Sequence, residues 1–449
     1  MTTVEESPVG STITSVAPDR ERESKREPIT VPAHRYISAE FAQREHDELW
    51  PRVWQLACTV DHVANPGDFY DYQVGLLSVL IVRGDDGVLR AFQNVCLHRG
   101  NELCSGSGSD LSEIRCQYHR WCWDLRGHLR EVPSRRGFGV IDNDSYGLIA
   151  ARVDTWGPLV FVSLDVAAEP LADYLEGVPD DAAWAGLDDF RCQYLVTTRM
   201  PCNWKTLIDG FSETLHVQGI HREMLPMTDD VNSPQRLWNR HGKLSQPYGV
   251  PSPRLRAKPD DQGVWDAFVE VMGTRIGVAS GEPAGPVPPI PADSSLRAVL
   301  AERIRAVGRE QGIDFSHYSD AQMLDMQQYN LFPNITVLVF PDLLSVVRAR
   351  PGDTPDDCSM DVFFFTRRPT GDASPRTKPL DMDLPPDQVQ LGTVLNQDVA
   401  NLRRAQRGLH QPGFTRLTLS GEECRIRNLH RNLEEWLGIE PSEIGGDAS

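Results

Sequence analysis

Two short motifs carry the plainest chemistry in this chain, Cys96-Leu97-His98 and Cys116-Gln117-Tyr118-His119. Each supplies one thiol and one imidazole. A [2Fe–2S] cluster with two thiolates on one iron and two imidazoles on the other needs that set. Neutral imidazole in place of thiolate removes negative charge from the cluster and raises its potential, as suits a relay feeding a stronger oxidant. Two other readings stay open at this point. A structural zinc ion could take the four side chains tetrahedrally, although zinc motifs usually pair like with like. The spacing could also be accidental.

A second constellation follows Asn203-Trp204-Lys205. Asp209, Glu213 and His216 fall at i, i+4 and i+7, so a continuous helix would place them on one face. His221 follows His216 at an interval that suits a distorted or ending helix. Two histidines and a carboxylate on one side of an iron ion form the facial triad of non-haem Fe(II) oxygenases, which leaves positions open for dioxygen and substrate. Alone, two such histidines would more often be surface or core residues. Behind a high-potential cluster in the same chain, they offer the sink that the cluster needs.

These residues must be positioned by the elements around them. Residues 1–30 are rich in Ser, Thr, Glu, Arg and Pro without apolar period and read as a disordered tail. A helical stretch is expected over Ala39 to Arg52. From Trp54 to about Val166 the pattern is β-rich, with buried-strand runs at Val79-Leu80-Ile81-Val82 and Leu159-Val160-Phe161-Val162 and a turn at Asp85-Asp86-Gly87. After Ala167, helical patterns lie near 203–224, 296–310, 387–408 and 424–437. Strand patterns lie near Thr336–Phe340, Leu344–Arg350 and Met360–Arg367. Separate strands and helices of this kind predict an α+β domain on an antiparallel sheet. The Pro/Gly-rich stretch 242–293 reads as a loop or lid, and 441–449 as a flexible C-terminus.

The chain has 449 residues, enough for two cores, and its 40% hydrophobic content is ordinary for a globular protein. It shows no apolar run long enough to span a bilayer and no secretory signal. Its nine cysteines are scattered and odd in number. Together these features predict a cytoplasmic protein without a disulfide framework. The other seven (Cys58, Cys104, Cys122, Cys192, Cys202, Cys358 and Cys424) read as small core residues. A net charge of −19 disfavours nucleic acid and anionic membranes. The cluster segment is locally basic, with Arg99, Arg115, Arg120, Arg126, Arg130, Arg135 and Arg136 outnumbering its acids. That rim could dock an acidic electron donor or be an ordinary solvated surface.

From about Tyr36 to Leu437 the chain resembles the large (alpha) subunits of Rieske non-haem iron aromatic-ring-hydroxylating oxygenases. The resemblance rests on the two Cys/His pairs, on Arg99-Gly100, Trp121 and Gly127 around them, on Asn203-Trp204-Lys205 with Asp209, Glu213, His216 and His221, and on the late segment Leu395–Leu409. It implies a β-rich Rieske domain (36–166, with its leading helix) and a catalytic domain (167–440) whose antiparallel sheet is covered by helices in a helix-grip-like arrangement. It implies a Rieske [2Fe–2S] cluster on Cys96, His98, Cys116 and His119, and a mononuclear Fe(II) on His216, His221 and Asp398, with Asp209 as the fallback carboxylate. Glu213 stands where the family has a carboxylate that bridges the cluster of one subunit to the iron of the next, so a trimer is implied, with or without a small beta subunit. Electrons would come from NAD(P)H through a reductase and possibly a ferredoxin. Asn334 matches a recurrent feature read as structural. Arg120 stands where Gly is usual, Glu213 where Asp is commonest, Gly210 where Asn is frequent and Leu215 where Tyr is frequent. Apolar Leu225, Met227, Leu338 and Phe340 suggest a hydrophobic aromatic or polycyclic substrate, to be mono- or dioxygenated. Glu at position 213 also occurs in family members that oxidise quaternary ammonium compounds. A reading from another class is a Rieske electron carrier without oxygenase activity.

Overall fold

The structure, a computed structural model, describes residues 28–389 and 391–440. The expected tail and flexible C-terminus therefore lie outside the described residues, except for 28–30. Strand β1 (Ile29–Pro32) begins there and pairs with β20 (Arg416–Leu419) in a two-stranded antiparallel ribbon. Helix α1 (Ala39–Arg44) follows and is continued by a π-helical turn over Glu45–Leu49, so the expected helix ends a few residues early.

The cluster motifs belong to a β-rich unit. A seven-stranded sheet is built from β2 (Gln55–Thr59), β3 (Phe69–Val74), β4 (Leu77–Arg83), β5 (Leu89–Gln93), β6 (Ser107–Gly108), β10 (Ala150–Trp156) and β11 (Leu159–Ser163), in the order β2-β11-β10-β5-β4-β3-β6. A smaller sheet holds β7 (Ile114–Arg115), β8 (Cys122–Trp123) and β9 (Leu129–Glu131). The apolar run in β4 is continuous because both of its faces are covered. Val79 and Ile81 face the large central core, whereas Leu80 and Val82 face the core under the cluster loops. The turn between β4 and β5 falls at Asp85-Asp86-Gly87 as expected. Asp86 Oδ1 accepts the Val88 N–H there, and Gly87 takes a positive φ.

The second unit is an eight-stranded sheet of β12 (Phe190–Met200), β13 (Gln235–Leu237), β14 (Gly242–Gln246), β15 (Met326–Leu331), β16 (Ile335–Val339), β17 (Leu343–Pro351), β18 (Cys358–Arg367) and β19 (Leu380–Asp383). Its order is β13-β14-β15-β16-β17-β18-β12-β19, antiparallel except for the β12–β19 pair. Against it pack α2 (Trp204–Gly210), α6 (Thr393–Leu409) and α7 (Cys424–Leu437), between which α3 (Val217–Ile220), α4 (Asp261–Met272) and α5 (Leu296–Glu310) occur along the chain. One core runs through both units, joining Trp50, Trp54, Leu56 and Val160 to Trp204, Leu207, Val347 and Leu433.

Two expectations change. Residues 242–293 are not a plain loop, because they contain β14 and α4. Helix α4 is capped by Asp260, which accepts the Gly263 N–H, and it buries Val264, Trp265, Ala267, Phe268 and Val269 at helical spacing. These side chains join α5 in a second core with Met224, Leu225, Met227, Leu300, Ile304 and Phe340. Within the stretch, residues 247–260 and 277–293 form no helix or extended strand, and the second of these holds the Pro/Gly-rich part Pro283–Pro291. The expected helix near 203–224 is also broken. It starts at its N-cap, where Asn203 accepts the Lys205 N–H, but it stops at Gly210. Ser212 Oγ donates to the Ile208 carbonyl, Thr214 Oγ1 to the Asp230 carbonyl, and Asn330 Nδ2 to the Phe211 carbonyl. Such side-chain bonds take up backbone groups that a continuing helix would use.

Candidate metal centres

The two Cys/His loops share one conformation. In the first, the Gly100 N–H bonds to the Cys96 carbonyl (3.0 Å) and the Cys96 N–H to the Asn101 carbonyl (2.8 Å). In the second, the Arg120 N–H bonds to the Cys116 carbonyl (3.1 Å) and the Cys116 N–H to the Trp121 carbonyl (2.9 Å). Gly100 and Arg120 occupy equivalent positions with φ of 74° and 64°. This left-handed geometry explains why Gly suits the site and why Arg120 is strained there. The fold thus brings two buried free thiols, Cys96 and Cys116, together with two imidazoles whose ring centroids lie 4.5 Å apart. Burial, and then Cys116 beside it, push the Cys96 thiol upward. His98 stacks on Trp121, and its Nδ1 is buried without a partner. A buried imidazole nitrogen is costly to leave unpaired, and a metal ion would satisfy it. Three of the local arginines are ion-paired within the unit: Arg115 with Glu113 and Glu131, Arg126 with Asp85, and Arg130 with Asp124.

His216, His221 and Asp398 meet although two elements and a long stretch of chain separate them. Their ligand atoms lie within 4.8 Å of one another, and among the described residues no other group of His, Cys, Asp and Glu does so. Asp398 Oδ1 lies 2.8 Å from His221 Nε2 and 3.9 Å from His216 Nε2. Each imidazole is held from behind. Glu213 Oε1 takes the His216 Nδ1 hydrogen at 2.5 Å, and Gln397 Oε1 takes that of His221 at 2.6 Å. Those bonds leave both Nε2 atoms as the inward donors, which is the usual way a protein orients metal-binding histidines. Burial opposes a charge on His221, but the bonds to Asp398 and Gln397 outweigh it and raise its pKa. A metal ion would displace that proton. The donor set fits a mononuclear iron with open positions.

Asp209 does not join this group. The helix break turns it away, and its carboxylate accepts the Tyr36 hydroxyl at 2.6 Å. Tyr36 also bonds His430 Nε2 at 2.7 Å. Burial pushes the Asp209 carboxyl up to about 7. Asn334 is buried and donates to the Ala349 carbonyl, as a structural residue would. Three contributors escaped the sequence reading. Gln397 orients His221, and only its place beside Asp398 could have flagged it. Glu45 forms a fully buried ion pair with Lys205 at 2.6 Å, which gives the Lys of Asn203-Trp204-Lys205 a structural role. Arg425 is buried beside Asn330 and Gln328. Of the apolar residues expected to wall a substrate pocket, Leu225, Met227 and Phe340 lie in the second core, which also takes in Val217 next to His216.

Comparison with known proteins agrees with this architecture. Residues 53–147 match the Rieske [2Fe–2S] domain, and residues 184–439 match the ring hydroxylating alpha subunit (catalytic domain). The chain belongs to the Rieske oxygenase alpha-subunit family and is an oxidoreductase. Its cofactors are those of the family, a Rieske [2Fe–2S] cluster and a mononuclear non-haem iron. The carnitine monooxygenase oxygenase subunit of Escherichia coli (strain K12) is 30% identical over 256 residues, which cover 56% of this chain and 67% of that protein. The glycine betaine monooxygenase oxygenase subunit of Pseudomonas aeruginosa (strain UCBPP-PA14) is 28% identical over 215 residues, covering 47% of this chain and 50% of that one. Among solved structures, the quaternary ammonium Rieske monooxygenase CntA with L-carnitine superposes with a TM-score of 0.64 at 18% identity, covering 91% of this chain and 95% of the other. Naphthalene 1,2-dioxygenase from Rhodococcus sp. gives 0.62 at 17% identity, with 92% and 95% covered. Among the described residues, no helix is long and apolar enough to cross a membrane.

Proposed function

We propose that this chain is the terminal oxygenase component of a system that oxidises a quaternary ammonium compound. The observation that carries this reading is the similarity to carnitine and glycine betaine monooxygenase oxygenase subunits. Cys96, His98, Cys116 and His119 would hold the cluster, and His216, His221 and Asp398 the iron. When bound, the two centres supply one-electron transfer and dioxygen activation. The chain's own part is to orient the ligands through Glu213 and Gln397 and to keep coordination positions free. Glu213, already bonded to His216, would carry electrons across a subunit boundary from His119, which makes a trimer the working assembly. A reductase, with or without a ferredoxin, supplies the electrons.

The first test is iron, zinc and acid-labile sulfide per chain on anaerobically purified protein, with low-temperature EPR after dithionite reduction. Sulfide, a Rieske-type signal and iron beyond the cluster are expected. Oxygen uptake coupled to product should then follow with carnitine, glycine betaine or choline, and not with naphthalene or indole. Coupled turnover of the aromatic compounds alone would overturn the substrate reading.

A further inference from the structure

The three side chains proposed for the iron come from two elements far apart in sequence. His216 and His221 follow α2, and Asp398 lies in α6. At the iron end, α6 meets that segment through Gln397 and Asp398, which bond His221 at 2.6 and 2.8 Å. A second link joins the same two elements away from the metal. Gln406 in α6 is only 3% exposed. Its Oε1 accepts the Asn203 N–H at 2.9 Å and the Thr206 hydroxyl at 3.1 Å. Its Nε2 donates to the Tyr36 carbonyl at 3.3 Å and to Asp356 Oδ1 at 2.7 Å. Asn203 is the N-cap of α2, and Thr206 lies in the first turn of that helix. Two of the four bonds need an acceptor and two need a donor, so neither a carboxylate nor an apolar side chain meets all of them.

The inward stripe of α6 shows how unusual this residue is on its helix. The stripe runs through Leu395, Val399, Leu402, Gln406 and Leu409 at helical spacing, and Gln406 is its polar member. Apolar contacts hold a helix against a core without direction, so they fix its depth better than its axial position. One buried polar residue in such a stripe specifies register at a cost in stability. A shift of α6 along its axis would strand the Gln406 amide and the Asn203 N–H together, away from water. Asp398 and Gln406 share one continuous helix. They are eight residues apart, about 12 Å at the α-helical rise, so what fixes one axially also fixes the other.

We infer that Gln406 is a positioning residue for the iron: it sets the register of α6 against α2 and thereby the place of Asp398 opposite His216 and His221. The inference rests on the iron site proposed above. Gln406 acts through its helix, about two turns from the ligand.

The test measures ferrous iron affinity by chelator competition on the full chain carrying its cluster, at a temperature where each variant is folded. The cluster EPR signal is the internal control and should stay that of the wild type. Gln406→Leu should lower the affinity about 10-fold or more, the loss expected when a group that orients a metal ligand is removed. Thr206→Val keeps the side-chain shape and loses one bond to Oε1, so it should lower the affinity by a smaller factor. It carries the test if Q406L does not fold. Asp356→Ala removes a partner of Nε2, and with it the His410 contact, but leaves the link to α2. It should lower the unfolding temperature and leave iron affinity at the wild-type value, which separates positioning from general stability. Wild-type affinity in Q406L, or in T206V where Q406L does not fold, would overturn the positioning role and leave the iron site standing. So would an equal loss in D356A. A wild type that takes up no iron beyond the cluster would overturn both.

Discussion

At the residue scale, the proposed iron site is defined as much by what stands behind His216 and His221 as by these two residues. Glu213 and Gln397 each take an Nδ1 hydrogen and so present both Nε2 atoms to one point. Gln397→Leu would leave His221 free to rotate, and iron affinity should fall about 10- to 100-fold in a chelator competition. Glu213→Ala should keep the cluster and weaken iron binding to a similar extent, and with ferrous iron resupplied to full occupancy it should still nearly abolish product formation. Coupled turnover retained in that variant would refute the electron bridge. These orienting residues were only partly legible. His216, His221 and Glu213 lie within one short segment, so spacing exposes them. Asp398 came from resemblance, and Gln397 could not be told from any polar helix residue until its partner 176 positions away was placed. Arg425 gave no signal either, since its meaning lies in partners from β13 and β15.

At the scale of elements, the paired cluster loops were legible because each is local: ligand, turn and returning hydrogen bond fit within six residues. The broken helix was not, because the bonds that end it come partly from Asn330 and Asp230, outside the segment. Helix α4 was hidden by its Pro/Gly-rich surroundings, although Val264, Trp265 and Phe268 already carried its period. The equivalence of Gly100 and Arg120 gives a paired prediction. A Cβ on Gly100 meets nothing within 4 Å, so Gly100→Ala tests backbone conformation alone. It should cost about 1–2 kcal/mol in urea unfolding of the holoenzyme. Arg120→Gly should stabilise by a smaller amount, because glycine gives up more chain entropy on folding. Neither change should move the cluster EPR signal.

At the scale of the whole molecule, Asp361 joins the two units. Arg348 reaches it through Nε and, through Nη1, donates to the Leu56 and Ala57 carbonyls on β2. Arg350 also grips Asp361 and donates to the Gln73 carbonyl on β3. Burial alone would raise the Asp361 carboxyl, but the two guanidinium groups hold it well below the ordinary carboxylate range. A depressed carboxyl gives stability that is present above its unfolded pKa of about 4 and is lost as pH falls toward the folded value. Asp361→Asn should cost about 3–5 kcal/mol at neutral pH by stranding two cations, and should remove that part of the acid unfolding. Urea titrations at pH 7 and at acid pH check both. One transition becoming two in the variant would show that this contact couples the units.

The spacing of the ligands along the chain also bears on the order in which the protein can be assembled during synthesis. The proposed cluster ligands all lie before β11, whose pairing with β2 completes that edge of the first sheet once residue 163 is available. His221 must wait for Asp398, which is made 177 residues later. The ribbon of β1 with β20 can form only after that. A nascent chain can therefore complete its electron-accepting loops long before it has an iron site.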